Sequence, residues 1–116
     1  MSILITGAAG FIGFHLSEIF MKKNFKVIGI DNLNSYYDVS LKKNRLKILK
    51  KNKNFKFYQL DISIEKKIND LFKKHKFKYV INLAAQAGVR YSLINPQSYL
   101  AFFLIVLIKL KLQNKL

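Results

Sequence analysis

Hydrophobic positions in this chain fall into two alternating patterns. Short apolar runs occupy residues 2–6, 26–30, 55–60 and 79–83, and between them apolar residues recur every three or four positions. A short continuous run predicts a strand buried on both faces, and the wider spacing an amphipathic helix. The first run breaks at Gly7-Ala8-Ala9-Gly10. Ile12, Leu16, Ile19 and Phe20 then trace a helix that ends near Lys22-Lys23-Asn24. The second strand closes on Asp31-Asn32, and a polar, tyrosine-bearing loop covers 32–40. A basic helix is expected over 41–51, with Leu41, Ile48 and Leu49 on one side. After the third strand, which ends at Asp61, Ser63 is placed to cap a helix and Glu65 to sit in its positive first turn. Ile64, Ile68, Leu71, Phe72 and His75 follow the helical repeat before the fourth strand at 79–83. Asn95-Pro96 predicts one more start, with Asn as cap and Pro at the first helical position.

Strands alternating with helices imply parallel pairing through right-handed crossovers, hence an α/β fold with a doubly wound sheet. With no internal repeat and no linker, 116 residues make a single domain, 1–116. Residues 99–108 are apolar without a break, which is too short for a bilayer span of about 20 residues. A buried helix is the expectation there, and no membrane association.

Composition narrows the function classes. The chain has no cysteine, which excludes thiol catalysis, disulfides and a cysteine-ligated zinc. That absence and the lack of a signal peptide at Met1-Ser2-Ile3-Leu4-Ile5 suit the cytoplasm. The net charge of +15 raises nucleic acid as a partner. Against it, 19 of the 21 basic residues are lysines, Arg45 and Arg90 being the exceptions, and they form no block of about five or six like charges. No aromatic residues interleave with them as stacking platforms, so no nucleic-acid partner is expected. His15 and His75 lie far apart, with no second ligand near either, so no metal is expected. The carboxylates form no acid/base pair.

The chemistry that does stand out is Thr6-Gly7-Ala8-Ala9-Gly10-Phe11-Ile12-Gly13, set between a strand and a helix. In such a turn the first glycine permits a tight bend. The second lets the backbone approach a pyrophosphate, and the third lets the helix pack on the sheet. The helix N-terminus supplies free N–H groups and positive potential. Asp31 falls 24 residues after Gly7, at the end of the next strand, where a carboxylate accepts a ribose diol and repels a 2′-phosphate. The pattern therefore predicts NAD rather than NADP. Asp61 ends the third strand on the same edge; its position fits adenine contact and helix capping equally.

These residues resemble the extended short-chain dehydrogenases that modify nucleotide sugars, the UDP-glucuronate 4-epimerases most of all. The likeness spans roughly 2–99. Besides the glycine turn it rests on Asp31-Asn32-Leu33-Asn34-Ser35-Tyr36-Tyr37-Asp38 and on Asn82-Leu83-Ala84-Ala85-Gln86-Ala87-Gly88-Val89-Arg90-Tyr91-Ser92. It implies that Gly7, Gly10, Phe11, Ile12 and Gly13 hold the pyrophosphate, and that Asp31 takes the adenosine ribose with Asn32, Asn34 and Ser35 around it. Asp61 and Ile62 would face the adenine, Leu83, Ala84 and Ala85 would line the cofactor, and Gln86 and Arg90 would lie near a UDP-sugar. The implied fold is a partial Rossmann sheet of order 3-2-1-4, with the fourth strand as an apolar edge unsuited to exposure.

The resemblance also implies a reaction. A tyrosine phenolate takes the proton from the sugar 4-hydroxyl, hydride passes from C4 to NAD, and the 4-keto sugar turns over before hydride returns to its other face. The Tyr-x-x-x-Lys pair and the Ser or Thr this needs lie beyond position 116 in the resembled family, and none of the six tyrosines here has a lysine four residues on. Residues 101–116 diverge, with Phe102 where the resembled proteins carry an asparagine, as a slipped reading frame would produce. The expectation is the NAD-binding, N-terminal portion of a nucleotide-sugar epimerase, inactive alone and homodimeric when intact. A 4,6-dehydratase or reductase portion, and a non-catalytic dinucleotide-binding module, are the alternatives.

Overall fold

A computed structural model of the chain describes residues 2–33 and 39–84. Seven elements follow one another: β1 (Ser2–Thr6), α1 (Phe11–Lys22), β2 (Lys26–Asp31), α2 (Val39–Leu49), β3 (Phe55–Gln59), α3 (Glu65–Lys74) and β4 (Phe77–Asn82). The strands form one parallel sheet in the order β3-β2-β1-β4, as expected. Each boundary lies within a few residues of its predicted place. The expected starts and tail beyond residue 84 lie outside the described residues.

Parallel strands need both faces covered, and the side chains of β1 show how. Ile3 and Ile5 point to one side, where they pack with Met21 of α1, Leu46 and Leu49 of α2, Val27 and Phe55. Leu4 points to the other side and packs with Ile28, Ile30, Phe77 and the α3 residues Ile68, Leu71 and Phe72. Two helices therefore cover one face and one helix the other. The period-two alternation of strand side chains splits a single apolar run between two cores.

Three expectations need correction. On α2, Leu41 and Ile48 are exposed, and the buried leucines are Leu46 and Leu49. The inward face runs through positions 42, 45, 46 and 49, an i, i+3, i+4, i+7 series whose first two members are Lys42 and Arg45 rather than apolar residues. Ser63 does not cap α3: the N-cap position is Ile64, with no side-chain hydrogen bond. The Ser63 hydroxyl and N–H instead donate to Asp61 Oδ1 at 2.7 and 2.9 Å. Finally, aromatic rings do lie under the lysines. Lys50 sits 5.3 Å from the Phe57 ring, Lys56 and Lys74 at 5.4 and 5.8 Å from Tyr58, and Lys78 at 5.5 Å from Tyr79. Chain folding brings these pairs together from neighbouring positions and from separate elements, and the ring faces are taken by ammonium groups.

Among the described residues β4 pairs only with β1. Tyr79 on β4 is half exposed, and the neighbouring Lys78 lies against its ring. A lysine at an edge opposes unwanted strand pairing.

Candidate functional site

The C-terminal ends of β1, β2 and β4 converge on the glycine turn. Gly7 adopts φ +70° and sits against the end of β4. A Cβ there would lie 2.8 Å from the Leu83 carbonyl carbon and oxygen and 2.9 Å from the Ala84 nitrogen. A side chain would thus be strained twice, by the left-handed backbone and by the neighbouring strand. Gly13, one turn into α1, faces the Gly7 carbonyl so closely that any Cβ would collide with backbone. This contact seats the helix on the turn, the packing role expected of the third glycine. Gly10 is the N-cap in extended conformation; it donates its N–H to Gly7 O at 3.0 Å and offers no side-chain cap. The first-turn N–H groups of α1 therefore depend on an outside acceptor, as at any helix start. No acidic side chain stands in that turn to compete for them. Phe11 and Ile12, on the same turn, are about two-thirds exposed despite being large and apolar.

Asp31 joins this turn directly. Its Oδ2 accepts the Ala9 N–H at 3.2 Å and its Oδ1 accepts the Leu33 N–H at 2.8 Å. Leu33 itself sits in the left-handed region at φ 55°, which folds the chain back over the carboxylate. The acid and the bend thus meet on one edge of the sheet. Ala8 N–H also donates to Ile30 O at 3.2 Å, so the turn is tied to β2 twice.

Sequence reasoning missed several residues that complete the site. Lys42 of α2 reaches Asp31 Oδ1 at 3.7 Å. Arg45, one turn further on, donates to Ala9 O at 3.1 Å, with its guanidinium 5.9 Å from the Phe11 ring centroid. Thr6 holds the other side. Its hydroxyl oxygen accepts the N–H groups of Leu83 and Ala84, both at 3.0 Å, and its proton goes to Asn82 Oδ1. The end of β4 is thereby pinned beside Gly7. The signal for Lys42 and Arg45 was their helical spacing with Leu46 and Leu49; an apolar count passes over it. Thr6 carried no local signal, because its partners lie 76–78 residues away.

The remaining expected positions divide. Asp61 stands one residue past the Leu60 N–H that donates to Asp31 O, so it shares the edge. Its Oδ1 is engaged by Ser63, which organises the turn into α3. Ile62 packs partly against the α3-side core, and Leu83 against the core of the other face. Asn32 and Ala84 are half-buried at the ends of β2 and β4. Asn34, Ser35, Ala85, Gln86 and Arg90 lie outside the described residues. Among the described residues no cluster of His, Asp or Glu is arranged to hold a metal, and no helix is long and apolar enough to cross a membrane.

Comparison with known proteins agrees with this geometry. Residues 4–110 match the family described as GDP-mannose 4,6 dehydratase. The chain is 51% identical over 96 residues to a UDP-glucuronate 4-epimerase of Thermodesulfobacterium geofontis, covering 83% of this chain and 30% of that protein. Among solved structures it is similar to Thermotoga maritima UDP-glucose 4-epimerase with UDP-glucose, at a TM-score of 0.73 and 34% identity over 94% of this chain and 33% of that one. It also resembles Bacillus cereus UDP-glucuronic acid 4-epimerase in complex with UDP-glucuronic acid and NAD. There the TM-score is 0.68 and the identity 34%, over 97% of this chain and 36% of that one. The chain thus spans about a third of the length of these relatives.

Proposed function

The chain belongs to the GDP-mannose 4,6 dehydratase family, and from that premise we propose that it is the NAD-holding portion of a nucleotide-sugar 4-epimerase acting on UDP-glucuronate. The observation that carries this reading is the Ala9 N–H to Asp31 bond, which ties the glycine turn and the strand-end acid into one cradle. The N–H groups at the start of α1 take the pyrophosphate, next to Gly7, Gly10 and Gly13, with Phe11 and Ile12 covering it. Asp31, with Asn32, Asn34 and Ser35, takes the adenosine ribose. The carboxylate has acceptor capacity beyond the two N–H groups it already serves. Asp61 and Ile62 stand by the adenine. Leu83, Ala84 and Ala85 line the cofactor, and Gln86 and Arg90 meet the sugar nucleotide.

When bound, the nicotinamide supplies a reversible hydride acceptor for C4 of the sugar. The described residues serve that chemistry by position. Thr6 fixes the Leu83–Ala84 backbone, Gly7 lets that backbone come close, and Arg45 holds the Ala9 carbonyl of the turn. A 4,6-dehydratase reading is favoured by the description of the matching family. The names of the similar proteins favour the epimerase. A homodimeric, cytoplasmic enzyme completes the proposal.

Titration calorimetry of the chain with NAD is the test. Saturable one-to-one binding is expected, with no UDP-galacturonate formed from UDP-glucuronate, because the 116 residues hold no Tyr-x-x-x-Lys. Absence of heat with both NAD and NADP would remove the reading.

A further inference from the structure

The inward face of α2 carries two cations at the ribose end of the site, and among the described residues Asp31 is the acid that answers them. Lys42 lies 3.7 Å from Asp31 Oδ1 with its side chain 12% exposed, and the Asp31 side chain is 5% exposed. Arg45 is hydrogen-bonded to the carbonyl of Ala9, the residue whose N–H binds Asp31 Oδ2. Asp31 thus receives two backbone N–H groups and an ammonium, with a guanidinium one carbonyl further away. A neutral diol needs an acceptor there and no cation. A monophosphate, with about −1.5 to −2 charge at pH 7, needs cations, and an arginine or lysine near this strand end is what accommodates it.

We propose that Lys42, backed by Arg45, is a latent 2′-phosphate clamp that Asp31 holds neutralised, so that Lys42 as well as Asp31 determines coenzyme choice. Asp31 does two things at once. It presents acceptor oxygens to the ribose, and it cancels the charge that would otherwise attract the phosphorylated coenzyme. Removing the carboxylate's charge leaves the cations in place, already oriented by α2 packing through Leu46 and Leu49. A single neutral substitution then suffices to reverse preference, with no cation introduced. This inference rests on the dinucleotide reading above and adds the residues that set its selectivity.

The test is calorimetric titration of NAD and NADP into the wild-type chain, Asp31→Asn, Lys42→Met and the double variant, at low and moderate salt. Wild type is expected to prefer NAD. Asp31→Asn should lose about tenfold for NAD and gain about tenfold for NADP, one charge contact each way. The NADP gain should shrink as salt rises and vanish in the double variant. Lys42→Met alone keeps the Asp31 bonds to the turn. It should weaken NADP more than NAD, so the preference for NAD widens even if Asp31→Asn fails to fold. An Asp31→Asn chain that is folded by circular dichroism yet binds NADP no better than wild type overturns the proposal. So does a double variant that keeps the gain, or a Lys42→Met that weakens both coenzymes equally. A wild type that binds neither coenzyme sinks the dinucleotide reading itself, a different result from any of these.

Discussion

Two titratable side chains anchor polar contacts at opposite places on the sheet, and their surroundings differ in sign. Asp31, at the end of β2, is surrounded by donors: two backbone N–H groups and the Lys42 ammonium. His75, which follows α3, shares a 2.8 Å hydrogen bond with the Tyr58 hydroxyl but has Lys56 and Lys74 as its charged neighbours. Burial first, and those two lysines after it, push its pKa below the usual 6.5. The first centre is complementary in charge and the second is not. A chain of net charge +15 cannot pair every cation, and among the described residues Lys56 and Lys74 lie against the Tyr58 ring. At the edge where a ligand is expected, Asp31 is paired with Lys42, and Arg45 donates to the Ala9 carbonyl.

The comparison breaks most severely at the turn that supports the acidic centre. Gly13→Ala drives a methyl into the Gly7 carbonyl, a backbone group that cannot step aside. A loss of about 3 kcal/mol or more in denaturant unfolding is expected, together with loss of NAD binding. Asp31→Ala comes next. It strands the Ala9 and Leu33 N–H groups and leaves Lys42 without its partner, which should cost about 2–3 kcal/mol in the same measurement. Thr6→Val keeps the shape but removes the acceptor for the Ala84 N–H and the donor to Asn82, while the Leu83 N–H keeps the Thr6 carbonyl. A loss of about 1–2 kcal/mol is expected, and weaker NAD binding should accompany it.

The smallest effect tests the basic centre. Since the folded-state pKa of His75 is lowered, the unfolded chain binds that proton more readily. The resulting stability is present in full above the ordinary 6.5 and is lost as pH falls through the folded value. The melting midpoint of wild type should therefore drop more than that of His75→Gln between pH 7 and pH 5. Replacing Lys74 by Gln should move the imidazole titration, followed by NMR, back toward 6.5. An unchanged titration would mean that the lysines do not set the contrast.

Much of this was legible in residue order because it is local. Apolar runs marked the strands, three-to-four spacing marked α1 and α3 as helices, and glycine spacing with an acid 24 residues on marked the bend and its partner, although on α1 the buried positions are Gly13, Ser17 and Met21 while Ile12 and Ile19 are exposed. The expected face of α2 failed for a physical reason. A helix face is read from apolar residues, and the inward face of α2 is half cationic because it covers a site at one end and a core at the other. Ser63 was expected at a cap because its type and spacing fit one, yet a nearby carboxylate offered its hydroxyl a stronger, charged acceptor.

Residue order alone determined the α/β class, the alternation that makes every strand parallel, and the glycine–aspartate pattern. Each depends on backbone preference and periodicity within a few dozen residues. Tertiary structure decided which side chains answer Asp31, which hydroxyl pins β4, and which rings lie under lysines. The longest-range of those contacts, Thr6 with the end of β4, joins positions that sheet pairing brings together, since charge and hydrogen bonding act over a few ångströms and are indifferent to distance along the chain.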